Sequence, residues 1–245
     1  MENFDELLIR ISTETAVLFL GQMFDQNVLF ENIEDKYRQV VFGGEKEVSY
    51  SEAVTNLIKY CDEKPEEKNA IISSIIASQS TINDERFEKL ASLNWNGVVT
   101  SLMHAIPGFD LLHSVVCPMD IKTDYFSKKN LKLTYLFGRA GNEQGNIPLS
   151  YEEQMKSETS KDQMWGEIVN RILLRGILII DSWDPKYDWL KERDFNAFIS
   201  CQKHTIYFFN LSDEAKRKPQ IRKLISKEIA VVIEGSLYDW IQEKY

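Results

Sequence analysis

A chain of 245 residues with 43% hydrophobic and 27% charged residues is long enough to bury a core, and its balance excludes a disordered or membrane-embedded protein. The net charge of −9 argues against a dominant nucleic-acid surface, because phosphate contacts need clustered Lys and Arg. No apolar run reaches the roughly 18 residues that span a bilayer, and the acidic start Met1-Glu2-Asn3-Phe4-Asp5-Glu6 lacks the basic region of a signal peptide. Cys61, Cys117 and Cys201 are too widely spaced for a disulfide framework or a metal cluster, so a reducing cytoplasm is the expected home.

In chain order, Asp5–Arg10 reads as a helix and Ala16–Gly21 as the first strand. The interval 24–94 is nearly all helical in pattern, with apolar residues at helical spacing in Ser51–Cys61 and Glu66–Ala77. It is too long for a simple crossover and reads as a helical insertion. Further apolar runs follow at Gly97–Ser101, His113–Cys117, Leu131–Phe137, Gly176–Ile180, Thr205–Asn210 and Ile229–Ile233. They are apolar without alternation, the mark of strands covered on both faces of a parallel sheet. Ser150–Leu174 is the longest helical candidate, and Leu237–Lys244 closes the sequence. Strand and helix alternate as in a doubly wound, mostly parallel Rossmann-like α/β fold, so the expectation is one domain over 1–245. The abrupt stop after a helix suggests a piece cut from a longer chain.

Four stretches together resemble the sirtuin-like domains of bacterial antiphage defence proteins, which consume NAD in their active form. Phe19-Leu20-Gly21 opens like the strand that leads into their Gly-Ala-Gly phosphate turn, but Gln22-Met23 replaces the small pair and Asp25 stands near the polar position. Thr100-Ser101-Leu102-Met103-His104 aligns with their Thr-Thr-Asn-x-Asp motif, so Leu102 falls where the resemblance puts the water-orienting asparagine. In "LKLTYLFG", residues 131–138, Phe137 falls where it puts the general-base histidine; the later Ser150 and Glu153 suit a capping box. Asp181-Ser182-Trp183 replaces a Gly-Tyr-Ser turn, with Asp184-Pro185 kept as a helix start.

The resemblance therefore implies a fold that persists around a site whose chemistry is gone. Phenylalanine takes no proton and leucine orients no water, which closes the usual route to N-glycosidic cleavage. Gly21, Gln22, Asp25, Thr100, Asp181 and Ser182 would line a vestigial pocket, with no catalytic residue and no metal. No cofactor is expected, and the acids Asp25 and Asp181 count against phosphates. The alternatives kept open are a sensor that binds NAD, ADP-ribose or a signal nucleotide, and an NAD hydrolase with relocated residues, His104 being the candidate.

Other chemistry is weakly signalled. Ser101, His104 and Asp110 lie too close in sequence for a hydrolase triad and lack a Gly-x-Ser-x-Gly elbow. Cys201 and His204 have a ligand spacing but no second pair, and His113 and His204 read as structural. The pairs Glu66-Glu67 and Glu152-Glu153 suit first turns of helices. Trp183, Tyr187 and Trp189 cluster where an active relative would open its pocket, which suits a protein-binding or blocked mouth. Lys216-Arg217-Lys218, with Arg222, Lys223 and Lys227, reads as a solvated loop and helix face, or as a contact for an acidic partner. The expected function is an inactive scaffold or regulatory module acting through self-association or a protein partner, with neither membrane nor direct nucleic-acid contact.

Overall fold

The computed structural model describes residues 2–13, 15–21, 24, 56, 59–68, 70–71, 84–102, 106, 108–109, 113–116, 132–135, 165–166, 169–170, 172–173, 176–185, 188, 190–202 and 204–244. Seven described strands match the seven apolar runs, with β5 reaching one residue past its run to Asp181: β1 (Ala16–Leu20), β2 (Gly97–Thr100), β3 (His113–Val116), β4 (Lys132–Tyr135), β5 (Ile177–Asp181), β6 (Ile206–Phe209) and β7 (Ala230–Ile233). They form one sheet in the order β3-β4-β2-β1-β5-β6-β7, with every neighbouring pair parallel. Six of them, from β4 to β7, repeat the doubly wound order of dinucleotide-binding folds, and β3 is added at the β4 edge. The protein is thus a Rossmann-like α/β protein.

The absence of alternation has a direct cause. β1 is central, paired from Val17↔Gly97 to Leu20↔Thr100 on one side and from Ala16↔Ile177 to Leu20↔Asp181 on the other. All its side chains, and all those of β5, are buried. Successive side chains point to opposite faces, so a strand covered on both sides must be apolar throughout. On one face Leu18, Leu20, Ile177 and Ile179 meet helices α1 (Glu2–Ser12), α2 (Asp84–Ala91) and α5 (Leu237–Lys244) through Leu7, Phe87 and Ile241. Each such side chain stabilises the fold by roughly 1.5–3 kcal/mol. On the other face Phe208 packs against Trp183 and Phe195, with ring centroids 6.2 and 5.6 Å away. Edge strand β7 leaves Val231 and Val232 half-buried.

Two further helices follow β6. Ser212 caps α3 (Asp213–Arg217) by accepting the Ala215 amide, and Pro219 starts α4 (Pro219–Ser226), where its missing N–H costs nothing. The α4 start has no side-chain cap of its own. Instead Glu192, in the 3₁₀ helix Glu192–Phe198, accepts the Gln220 amide at 3.0 Å. Glu192→Ala is therefore expected to cost about 1 kcal/mol, as loss of a helix cap does. Urea titration of the two proteins measures this, and Glu192→Gln, which keeps an acceptor oxygen, should recover most of the loss.

Some expected elements are corrected. Gly21 and Gly176 lie just outside their strands. Asp184-Pro185 does not start a helix; it belongs to a single turn closed by the Asp188 amide on the Asp184 carbonyl at 2.8 Å. Within the expected insertion, residues 59–63, 65–68, 70–71 and α2 are helical, as are the described residues of the 150–174 candidate. Residues 150–164 lie outside the described residues. No described helix is long and apolar enough to cross a membrane.

Candidate functional site at the carboxyl ends of β1 and β5

Doubly wound sheets bind ligands where the strand order reverses, in the crevice beyond the carboxyl ends of the strands. Here the chain departs from β1 towards β2 on one side, and β5 flanks it on the other, so the crevice lies beyond Leu20 and Asp181. The structure brings Gly21, Thr100, Asp181 and Ser182 together at this point. Gly21 donates its amide to the Asp181 carbonyl at 2.9 Å, and Thr100 Oγ1 donates to the Leu20 carbonyl at 3.1 Å. Thr100 Oγ1 also accepts the Leu102 amide at 2.9 Å. Both Thr100 and Leu102 are buried, so this threonine ties β2 to the end of β1. Gln22, Asp25, His104, Asp110 and Phe137 lie outside the described residues.

Gly21 packs directly against the turn that follows β5. A Cβ on Gly21 would lie 2.2 Å from the Ser182 carbonyl oxygen, 2.7 Å from its carbonyl carbon and 3.0 Å from Asp188 Oδ2. Glycine is required here for the approach of protein backbone. Phe24 is buried just beyond Gly21. It donates its amide to the Gly21 carbonyl and turns its ring into the core against Phe87, 5.2 Å between centroids. The Arg86 guanidinium stacks over the Phe24 ring at 3.9 Å and donates to the Phe24 carbonyl.

The turn after β5 is fixed by its own side chains. Ser182 sits at φ +60°, a backbone region costly for a residue with a Cβ, and donates its amide to the Phe209 carbonyl at 3.1 Å. Trp183 is 1% exposed; its indole N–H reaches the Leu190 carbonyl at 2.9 Å and its ring meets Phe195 edge-on at 5.1 Å. Trp183 therefore belongs to the core. Tyr187 and Trp189 lie outside the described residues. Buried Asp188 accepts the Asp184 amide at 2.6 Å, and Lys191 donates to the Pro185 carbonyl.

Among the described residues, Asp181 is chemically unusual. It is fully buried, and its Oδ2 accepts the Leu237 amide at the start of α5 at 2.9 Å. Its Oδ1 accepts the Ser182 hydroxyl at 2.8 Å, and Ser182 Oγ in turn accepts Asn210 Nδ2 at 3.0 Å. Burial pushes the carboxyl up to about 6, against the opposing pull of the Leu237 amide, the Ser182 hydroxyl and Arg86; Asp239 adds a small upward push. This acid faces a helix start, where the macrodipole favours negative charge. It holds the ends of β5, β6 and α5 in register.

Asp188, Asn210 and Arg86 were not singled out by the sequence. Asn210 has a visible signal, an Asn closing an apolar run, and it takes the left-handed conformation at φ +50° that Asn tolerates. Asp188 and Arg86 have none, because their partners are set by the fold. Elsewhere, an open cavity of about 360 Å³ is lined by Lys191, Glu192, Arg193 and Gln220. Among the described residues no group of three His, Cys, Asp or Glu is placed to hold a metal ion. Burial raises the Cys201 thiol above its usual range.

Sheet order and crevice define the class, an α/β protein with a Rossmann-like parallel sheet. No protein-family model matches the chain, and no curated protein matches it.

Proposed function

We propose that this chain is a sirtuin-like domain without NAD turnover, serving as a scaffold or regulatory module in a bacterial antiphage assembly. The observation that carries the first part is the contact at Gly21, where the Ser182 carbonyl and the Asp188 carboxylate stand against the glycine that would admit a dinucleotide phosphate. A buried carboxylate next to a phosphate path also repels it. Leu102, where the resemblance places a water-orienting asparagine, is 3% exposed and part of the hydrophobic core. The defence setting comes from the order of the four motifs alone. A cytoplasmic location agrees with three cysteines spaced too widely for a disulfide framework.

A domain with this role acts through protein contacts, its own copies included, rather than through a bound nucleotide. Thermal unfolding with millimolar NAD and with ADP-ribose tests the reading. A ligand at a hundred times its Kd adds about 2.7 kcal/mol, which raises the midpoint by several degrees in a domain of this size. The expected result is an unchanged midpoint with both ligands and no nicotinamide released over hours. A shift without turnover would make the chain a nucleotide sensor. Turnover abolished by a substitution in the crevice would overturn the proposal.

A further inference from the structure

Two contacts lay α4 alongside the 3₁₀ helix Glu192–Phe198. The Gln220 amide reaches Glu192 Oε1 at 3.0 Å at one end, and Lys227 Nζ reaches the Ile199 carbonyl at 3.5 Å at the other. Beside the first contact, Lys191, Glu192, Arg193 and Gln220 line the open cavity of about 360 Å³. That volume lies in the range of ligand sites. Gln220, Lys223 and Lys227 stand at i, i+3 and i+7, so they share the side of α4 that faces the 3₁₀ helix. Ile221 and Leu224 bury the inner face. Arg222 is turned by about 100° from Lys223 and leaves the groove on the far side of the helix.

The charge along this groove is positive. Residues 215–227 contain six cations and no acid, and Glu228 is the next acid in the chain. Lys216 pairs with Asp213 and Glu234, and Lys218 with Glu214. Arg193, Lys223 and Lys227 are exposed. The cations and acids of 191–194 are equal in number, Lys191 and Arg193 against Glu192 and Asp194. Both acids are half-buried and already accept backbone amides, Glu192 from Gln220 and Asp194 from Lys191 at 2.8 Å. The excess positive charge therefore comes from α4.

We propose that the groove binds a short, extended acidic segment of a partner protein. Its carboxylates would lie on Arg193, Lys223 and Lys227, and its backbone against Glu192 and Gln220. The distance from Gln220 to Lys227 is roughly 10 Å along the helix, the length of about three extended residues. The chemistry of the walls selects the occupant. Glu192 and the Gln220 side chain add acceptors to the donors of Lys and Arg, and a peptide brings N–H groups together with carboxylates. A phosphodiester backbone brings acceptors only. The described residues of the two helices also expose no aromatic ring on which a base could stack, and the whole chain is net −9. The proposal rests on the protein-contact part of the function proposed above and is independent of NAD turnover.

Fluorescence anisotropy of a labelled ten-residue peptide of alternating Glu and Ser, titrated with the intact chain, tests it. At about 50 mM salt binding should saturate, and at about 500 mM it should weaken, because exposed charges are then screened. A peptide of alternating Gln and Ser should not bind. Charge reversal removes an attraction and adds a repulsion of similar size, so Lys223→Glu and Arg193→Glu should each weaken binding about tenfold. Arg222→Glu changes the net charge equally on the far side of α4 and should weaken it by less than about twofold. All three positions are exposed, so an unchanged melting temperature shows that the variants are folded. No saturable binding, or equal losses from Lys223→Glu and Arg222→Glu, overturns the proposal. So does tighter binding of a short DNA duplex that Lys223→Glu removes, or self-association of the chain that the same substitution removes. NAD turnover by a chain that still binds the peptide would overturn only the earlier reading, and failure to bind the peptide would leave that reading standing.

Discussion

Gly21→Ala is expected to destabilise the protein by about 3 kcal/mol or more, the upper end of what overpacking a core costs. The new methyl would stand 2.2 Å from a backbone oxygen, a distance that no side-chain rotation relieves. Retreat of either backbone is opposed by two hydrogen bonds, Gly21 to the Asp181 carbonyl and Ser182 to the Phe209 carbonyl. For a domain of this size the midpoint should fall by roughly 6–12 °C. Gly97→Ala is the matched control, since nothing lies within 4 Å of a Cβ at that β2 position. Its midpoint should stay level or rise slightly, because alanine is less flexible than glycine in the unfolded chain. Equal, small effects at both positions would mean that the crevice beside Gly21 has room, and would reopen the nucleotide-binding reading. The same substitution thus reports on stability and function together.

The second large effect depends on pH. The Asp181 carboxyl is raised to about 6, whereas an unfolded aspartate titrates near about 3.9. Between these values the folded state binds more protons than the unfolded one, so this group's contribution falls as pH rises through the window. Below about 4 both states are protonated and the stabilisation is fully present; above about 7 it is gone, a difference of about 3 kcal/mol. Asp181→Asn removes the titration while keeping an oxygen for the Leu237 amide. Urea unfolding of both proteins from pH 4 to 7.5 isolates the group, because all other carboxylates cancel in the comparison. The variant should match the parent at pH 4 and exceed it at pH 7.5 by up to about 3 kcal/mol. A variant less stable at pH 7.5, with no pH dependence, would mean that the Leu237 amide, the Ser182 hydroxyl and Arg86 outweigh burial.

The two expectations share a cause. Both groups sit where three strand ends, one helix start and one turn converge, and there a single atom changes several contacts. The Asp181–Ser182–Asn210 chain of hydrogen bonds holds a buried charge that burial alone would disfavour. Such a network is costly when half-satisfied and rigid when complete. In this protein it joins β5, β6 and α5 beside the crevice, so the region offers a fixed shape more readily than a moving one.

The seven apolar runs were legible because a buried strand has a local signature. It needs apolar residues on both faces, and Ala16–Leu20 and Ile177–Asp181 carry them almost without a break. Leu237–Lys244 was legible at both ends, since helical periodicity and the Ser236–Asp239 pair at its start are neighbours in sequence. The importance of Gly21 was also readable, as the last residue of an apolar run. Its neighbour was not. The residues that crowd it, Ser182 and Asp188, are brought there by a crossover that no local pattern encodes. Asp184-Pro185 carried a helix-start signal, but the buried Trp183 and the Asp188 carboxylate hold the chain in a turn.

By itself, then, the sequence determined which segments are strands, that the sheet is parallel and covered on both faces, and where charge gathers along the chain. Those properties follow from periodicity and composition, which act over a few residues. Strand order, the added β3 edge, the occupant of the Gly21 crevice and the raised carboxyl of Asp181 were decided only by the tertiary structure. Each depends on atoms far apart in sequence, and steric exclusion and desolvation act on distance in space alone.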